Sequence, residues 1–160
     1  MRHLAKRVER ICDELYRLRI VQRMEWTERG PVRATLEIER KVSRSVICQR
    51  IHFYAVCPRI DFETTVDWKE HQHLLKAHFP MDVHTDEATF EIQFGNVTRK
   101  THQNTSWDQA RFESCGQKWI DVSEGHYGIS LLNDCKYGHS VHNGEMALTL
   151  IKSGTEPNPV

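Results

Sequence analysis

Apolar side chains in the first eighteen residues recur at helical spacing. Leu4, Val8, Ile11, Leu15 and Leu18 form one stripe with charged residues between them, which predicts an amphipathic helix over residues 2–18. From Val21 the period changes to two. Val32, Ala34, Leu36 and Ile38 alternate with Arg33, Thr35, Glu37 and Glu39, the pattern of a half-buried strand, and Gly30-Pro31 breaks the chain before it. Residues 45–55 are a β-branched and aromatic run. Ile60, Phe62, Thr64, Val66 and Trp68 then alternate with Arg59, Asp61, Glu63, Thr65 and Asp67. A one-residue slip there would turn five polar or charged side chains inward, so this strand is the most sharply specified. Pro58 precedes it, where a missing N–H costs no ladder bond. Phe53, Phe62, Trp68 and Trp119 occupy alternating positions and are read as core.

Shorter strands are predicted over residues 74–79, 88–93, 118–122, 128–133 and 146–152, separated by Pro80-Met81-Asp82, Gly95-Asn96, Ser123-Glu124-Gly125 and Asn143-Gly144. Residues 98–108 are polar and aperiodic, which reads as a long loop of the kind often tied to function. Eight or nine strands without βαβ alternation predict a mainly β fold, an antiparallel β-sandwich over residues 21–160. Residues 1–20 form a separate N-terminal segment with its short helix.

Charge and composition narrow the picture. The 22 basic and 22 acidic side chains cancel, which gives no long-range field for nucleic acid or an anionic membrane. No apolar run approaches the roughly 20 residues that span a bilayer, and the start lacks the apolar core of a signal peptide. The expectation is a soluble, cytoplasmic protein. Cys12, Cys48, Cys57, Cys115 and Cys135 are widely and irregularly spaced; buried free thiols are expected rather than disulfides. Among ten histidines, His71 and His73 are two apart and would share one face of a strand. Zinc would need one or two further ligands, and nothing in the spacing supplies them, so no metal site is assigned.

Six segments carry a family resemblance. Glu28-Arg29-Gly30-Pro31-Val32-Arg33-Ala34 is the first, followed by Arg59-Ile60-Asp61-Phe62-Glu63-Thr64 with Val66-Asp67-Trp68, and by His73-Leu74-Leu75-Lys76-Ala77-His78-Phe79-Pro80. Next come Phe94-Gly95-Asn96-Val97 and the stretch Thr101-His102-Gln103-Asn104-Thr105-Ser106-Trp107-Asp108 with Ala110-Arg111-Phe112-Glu113. The most distinctive is Leu131-Leu132-Asn133-Asp134-Cys135-Lys136-Tyr137-Gly138. In this order and spacing, residues 25–159 resemble the C-terminal β-sandwich region of the α-mannosidases of glycoside hydrolase family 38, bacterial and vacuolar type. The resemblance implies part of a galactose-mutarotase-like supersandwich. It also implies a parent enzyme that releases terminal α-linked mannose by a retaining, zinc-dependent reaction. Zinc and nucleophile belong to an N-terminal catalytic domain absent here. No catalytic residue, metal ligand or cofactor is therefore expected in this chain. The expected partners are that catalytic domain, a mannose-containing glycan reached through it, and further copies of this chain through exposed sheet edges.

The loop-associated acids are Asp108, Glu113, Asp121 and Asp134, and no spacing among them indicates the pair a retaining glycosidase needs. The better candidates for lining a sugar pocket are Asn133, Asp134, Lys136 and Tyr137 of the LNDCKYG segment, and Asn104, Trp107 and Asp108 of the long loop. Tyr137 and Trp107 offer stacking faces for a sugar. Two readings of each segment stand. Asn133 and Asp134 also close turns on their own backbone and Gly138 can take a positive φ, while Trp107 would serve equally as a plug that locks the loop to the sheet. A stand-alone β-sandwich that binds glycan or assembles without cleaving is the alternative function.

Overall fold

A computed structural model of the chain describes residues 21–154. The predicted N-terminal helix lies outside them. The chain divides into two compact units, residues 1–70 and 71–160, each with its own core.

The described part of the first unit is an antiparallel meander in which β1 (Val21–Arg29), β2 (Arg33–Val42), β3 (Ser45–Tyr54) and β4 (Ile60–Asp67) lie side by side in chain order. The register pairs Trp26 with Leu36, Leu36 with Ile51, and Ile51 with Phe62. Strand alternation therefore gathers the apolar side chains on one face, with Leu36 and Ile38 each 2% exposed at its centre. The other face is a ladder of paired charges: Glu37 holds both Arg23 and Arg50, Arg33 reaches Glu28, and Arg59 reaches Asp61. Asp61 also accepts from the Tyr54 hydroxyl. At the β3 start, Ser45 is fully buried and its hydroxyl donates to Glu70 while accepting from the Lys69 N–H.

The second unit is a sandwich of two four-stranded sheets. One has the order β10 (Tyr127–Leu132), β9 (Trp119–Glu124), β6 (Glu87–Ile92), β7 (Gly95–Lys100); the other runs β5 (His73–Pro80), β12 (Glu145–Ser153), β11 (Gly138–His142), β8 (Ser114–Cys115). Phe90, Ile120 and Val122 from the first sheet meet Val141 and Met146 from the second, all at most 5% exposed. Burying such side chains is what holds the layers together, at about 1.5–3 kcal/mol each. Asn143 and Gly144, with φ of 52° and 72°, form the tight β11–β12 hairpin that this dipeptide favours.

The antiparallel sandwich and most predicted strands are present. Four expectations need correction. Residues 98–100 belong to β7 rather than to the long loop, since Thr98 pairs with Thr89 and Lys100 with Glu87. β1, β8 and β11 also exist as strands. Phe62 is 43% exposed, because β4 ends the sheet and its apolar face lies at the rim, while Phe53, Trp68 and Trp119 are half-buried. Finally, Cys48, Cys57, Cys115 and Cys135 are free, as expected, but all four are exposed.

Candidate functional site

The sugar-facing candidates all lie in the second unit, on two loops that flank β8. The first is a strap of residues 101–113 crossing from β7 to β8. Its start is held by the Thr101 N–H on the Asp86 carbonyl at 2.9 Å, the Thr101 hydroxyl on the Thr85 carbonyl at 3.1 Å, and the Thr101 carbonyl against His142 Nδ1 at 3.1 Å. Its end is held by Glu113, whose carboxylate lies 2.8 Å from Lys76 Nζ and accepts from the Thr149 hydroxyl. Burial pushes the Glu113 carboxyl up, but the bonds from Lys76 and Thr149 and the nearby ammonium charges outweigh it, leaving it below the ordinary value. This carboxylate sits over Gly138, where a Cβ would come within 3.2 Å of its Oε2. His142 and Gly138 are the two ends of β11, so the strap is anchored at both.

Between the anchors lies one helical turn, α1 (Ser106–Gln109), with Thr105 as its cap. Asp108 completes a capping box: its carboxylate accepts from the Thr105 N–H at 3.1 Å and hydroxyl at 2.7 Å, while its own N–H donates to the Thr105 hydroxyl. These Thr105 bonds, with His102 and Arg111 nearby, hold the Asp108 carboxyl low. Asp108 is thus committed to the turn. Trp107 is 82% exposed, which rules out its reading as a core plug; Asn104 is exposed beside it, and Phe112 stands 78% exposed further along.

The second loop leaves β10. Asn133 is its structural centre: the N–H donates to the Lys118 carbonyl at 2.8 Å, Nδ2 donates to the Gln117 carbonyl at 3.0 Å, and Oδ1 accepts from the Lys136 N–H at 2.6 Å. Both ends of its side-chain amide are thus engaged in shaping the turn. The Lys118 ammonium caps the Asp134 carbonyl, which leaves the Asp134 carboxylate exposed to solvent, Lys136 half-buried and the Tyr137 ring 54% exposed. Gly138 does not have the positive φ expected of it; the left-handed glycines are Gly125 and Gly144. Its role is space for Glu113.

No hydrogen bond or ion pair among the described residues joins Asn104, Trp107 or Asp108 to Asn133, Asp134, Lys136 or Tyr137. Among these residues the two loops are tied together only at the end of the strap, where Gly116, next after β8, donates to the Tyr137 carbonyl at 3.0 Å and Glu113 lies against Gly138. Glu113 stood among the candidate acids, but Lys76 and Thr149 as its partners could not be read from spacing. Phe94 was also missed as an exposed ring: it stands fully in solvent at the β6–β7 turn with φ of 62°, a conformation unusual for a bulky side chain. As for acid–base chemistry, Asp108 is capped, Glu113 is paired with an ammonium, and Asp121 accepts from Ser123 and Ser130 at 2.6 Å each.

Comparison with known proteins identifies the fold and the family. Residues 8–160 match the family model described as glycosyl hydrolases family 38 C-terminal domain. The chain is 41% identical over 141 residues to alpha-mannosidase G of Dictyostelium discoideum, covering 82% of this chain and 12% of that protein. It is 45% identical over 114 residues to human alpha-mannosidase 2C1, covering 71% and 11%, and 46% identical over 101 residues to the Saccharomyces cerevisiae alpha-mannosidase, covering 62% and 9%. The fold is similar to that in the crystal structure of an alpha-mannosidase from Enterococcus faecalis, with a TM-score of 0.74 at 18% identity over 82% of this chain and 19% of that one. The chain spans about a tenth of the length of the curated relatives it matches. With nearly its whole length matched to that model, this chain belongs to glycoside hydrolase family 38, in its C-terminal domain.

Proposed function

We propose that this domain is the accessory C-terminal part of an α-mannosidase that removes terminal α-linked mannose from oligosaccharides by a retaining, metal-dependent reaction. The carrying observation is the pair of loops held rigid by their own hydrogen bonds while Trp107 and Tyr137 stay open to solvent. Rings presented on loops whose backbones are held in this way can stack on a sugar with little loop ordering, with the Asp134 carboxylate and Lys136 on the same turn as Tyr137 to bond hydroxyls. Among the described residues no three His, Cys, Asp or Glu side chains gather as a ligand set for zinc. In this reading metal and nucleophile lie in a separate catalytic part, which this domain buttresses. A neutral charge balance and free thiols support a cytoplasmic setting. The exposed apolar rim of β4, with Ile60 and Phe62 at 41% and 43%, supports self-association of the isolated chain.

The test is an aryl α-mannoside assay on the 160-residue chain alone and joined to a family 38 catalytic part. The expected outcome is no turnover alone and turnover when joined, with Trp107→Ala and Tyr137→Ala raising KM in the joined enzyme. Turnover by the isolated chain would overturn the assignment. Saturable mannoside binding by the isolated chain, with no gain on joining, would favour the stand-alone binding module instead.

A further inference from the structure

The core of the second unit contains a residue foreign to it by chemistry. His139 has no exposed surface, yet neither ring nitrogen makes a well-formed hydrogen bond; the Gly116 backbone approaches the ring without completing one, although buried polar groups are nearly always paired. The ring sits on β11, where His139 pairs with Leu148 of β12 and with Ser114 of β8. Phe90 of β6 meets it edge-on at 6.4 Å. Gly116 is wedged against it so closely that a Cβ there would lie 3.0 Å from the His139 Cδ2 and 3.1 Å from Ile120 of β9. There is no room for a hydrated imidazolium.

The charged groups around it do not offer a counter-ion either. Arg99 of β7 lies 4.5 Å over the Phe90 ring and donates to the Cys115 carbonyl at 2.9 Å, and its charge opposes a second cation. Glu113, ahead of β8, would favour one but is already engaged by Lys76 and Thr149. The β6, β9 and β12 strands present Phe90, Ile120 and Leu148. Burial accordingly holds the His139 pKa below its ordinary 6.5, with the Gly116 backbone and Glu113 offsetting part of that and Arg99 adding to it.

We propose that His139 makes the strap acid-releasable at one end: when its ring takes up a proton it leaves the core, β8 parts from β11, and residues 110–115 come free while the Thr101 anchor and the rest of the sandwich stay packed. β8 is the element that yields, because it is held to β11 by two residue pairs, whereas β12 keeps a long ladder to β5. The sign follows from linkage. A full unit or more above pH 6.5 the ring is neutral both packed and released, so opening does not depend on pH. Below it the released state binds the proton and the packed state does not, and opening rises by up to about tenfold per pH unit. Glu113, with its value lowered, titrates far below this window, so the Lys76 pin is not the trigger. The device holds whether or not the strap lines a sugar pocket.

Hydrogen exchange of the 160-residue chain at pH 7.5, 6.5 and 5.5, corrected for intrinsic rates, tests it. Opening in residues 110–118 should rise about twofold from pH 7.5 to 6.5 and about tenfold from pH 7.5 to 5.5, with residues 88–92 unchanged. His139→Leu should abolish that pH dependence while leaving His142, at the other anchor, intact. In the wild-type protein, NMR titration should find the His139 ring neutral until release. A His139 ring that titrates near 6.5 without loss of protection at 110–118 would overturn the proposal, and so would an unchanged acid response in the leucine variant. If that variant fails to fold, the wild-type titration read beside its exchange decides alone.

Discussion

A methyl group added at Gly138 would stand 3.2 Å from the Glu113 Oε2 and 3.3 Å from the Thr149 Cβ, both in a hydrogen-bonded cluster with little freedom to retreat. Gly138→Ala should therefore lift Glu113 off its pin and lower unfolding stability by about 1–2 kcal/mol, measurable by urea titration, with faster exchange at the strap's end. Ser45 is the comparable position in the first unit. Its hydroxyl has no exposed surface, accepts from the Lys69 N–H and donates to Glu70. Ser45→Ala strips the acceptor from a backbone donor and should cost about 1–3 kcal/mol. Ser45→Cys is not a rescue, since sulfur is a weak acceptor. An unchanged urea midpoint for Ser45→Ala would mean the staple is ornamental.

Among the elements, α1 depends on Thr105. Four residues are too few to form a helix unaided, so the capping box defines the turn. Thr105→Ala should cost about 1 kcal/mol locally, seen as an exchange increase of about fivefold over residues 106–110 with little change in overall melting. The strap also shows where sequence reading stops. Alternation disclosed β2 and β4, a β-branched and aromatic run disclosed β3, and turn signals bracketed β5, β6, β9, β10 and β12. β11 was hidden because Gly138-His139-Ser140-Val141-His142 places a histidine where an apolar residue belongs. β8, with two residues, has no period to detect. β7 was obscured by Asn96, Thr98 and Lys100, polar side chains on a strand at the edge of its sheet. The capping box itself was written in the sequence as Thr105-Ser106-Trp107-Asp108 but passed as loop, since aspartate takes the place that glutamate or glutamine usually fills. The partners of Glu113 come from β5 and β12, distant in the chain, and no local pattern announces them.

For the whole molecule, the titrating groups act in one direction. Glu28 is held low by Arg33 and Thr35, Glu37 by Arg50, Asp61 by Arg59 and Tyr54, and Asp108 by Thr105. A carboxylate lowered on folding contributes stability above its unfolded value, which is lost as pH falls through the folded one. His139 likewise binds its proton less readily when folded. Stability should therefore be flat from pH 8 to 7, decline below about 6.5 as His139 begins to matter, and fall again below about 4 as the carboxylates protonate. Melting temperature against pH checks this, and a single decline confined to the acid end would exclude the histidine's part. The family is legible in the six sequence segments that carry the resemblance, but the division at Glu70 and His71 has no linker composition to mark it.

The exposure of Trp107 gives the protein an optical handle. Trp26, Trp68 and Trp119 are half-buried while Trp107 is 82% exposed, so a water-soluble quencher such as acrylamide or iodide should extinguish the red edge of the emission first. That fraction belongs to the strap. A docked sugar or a neighbouring domain covering it would shield the indole and shift its light to the blue, and Trp107→Phe would silence the signal while leaving the other three fluorophores untouched.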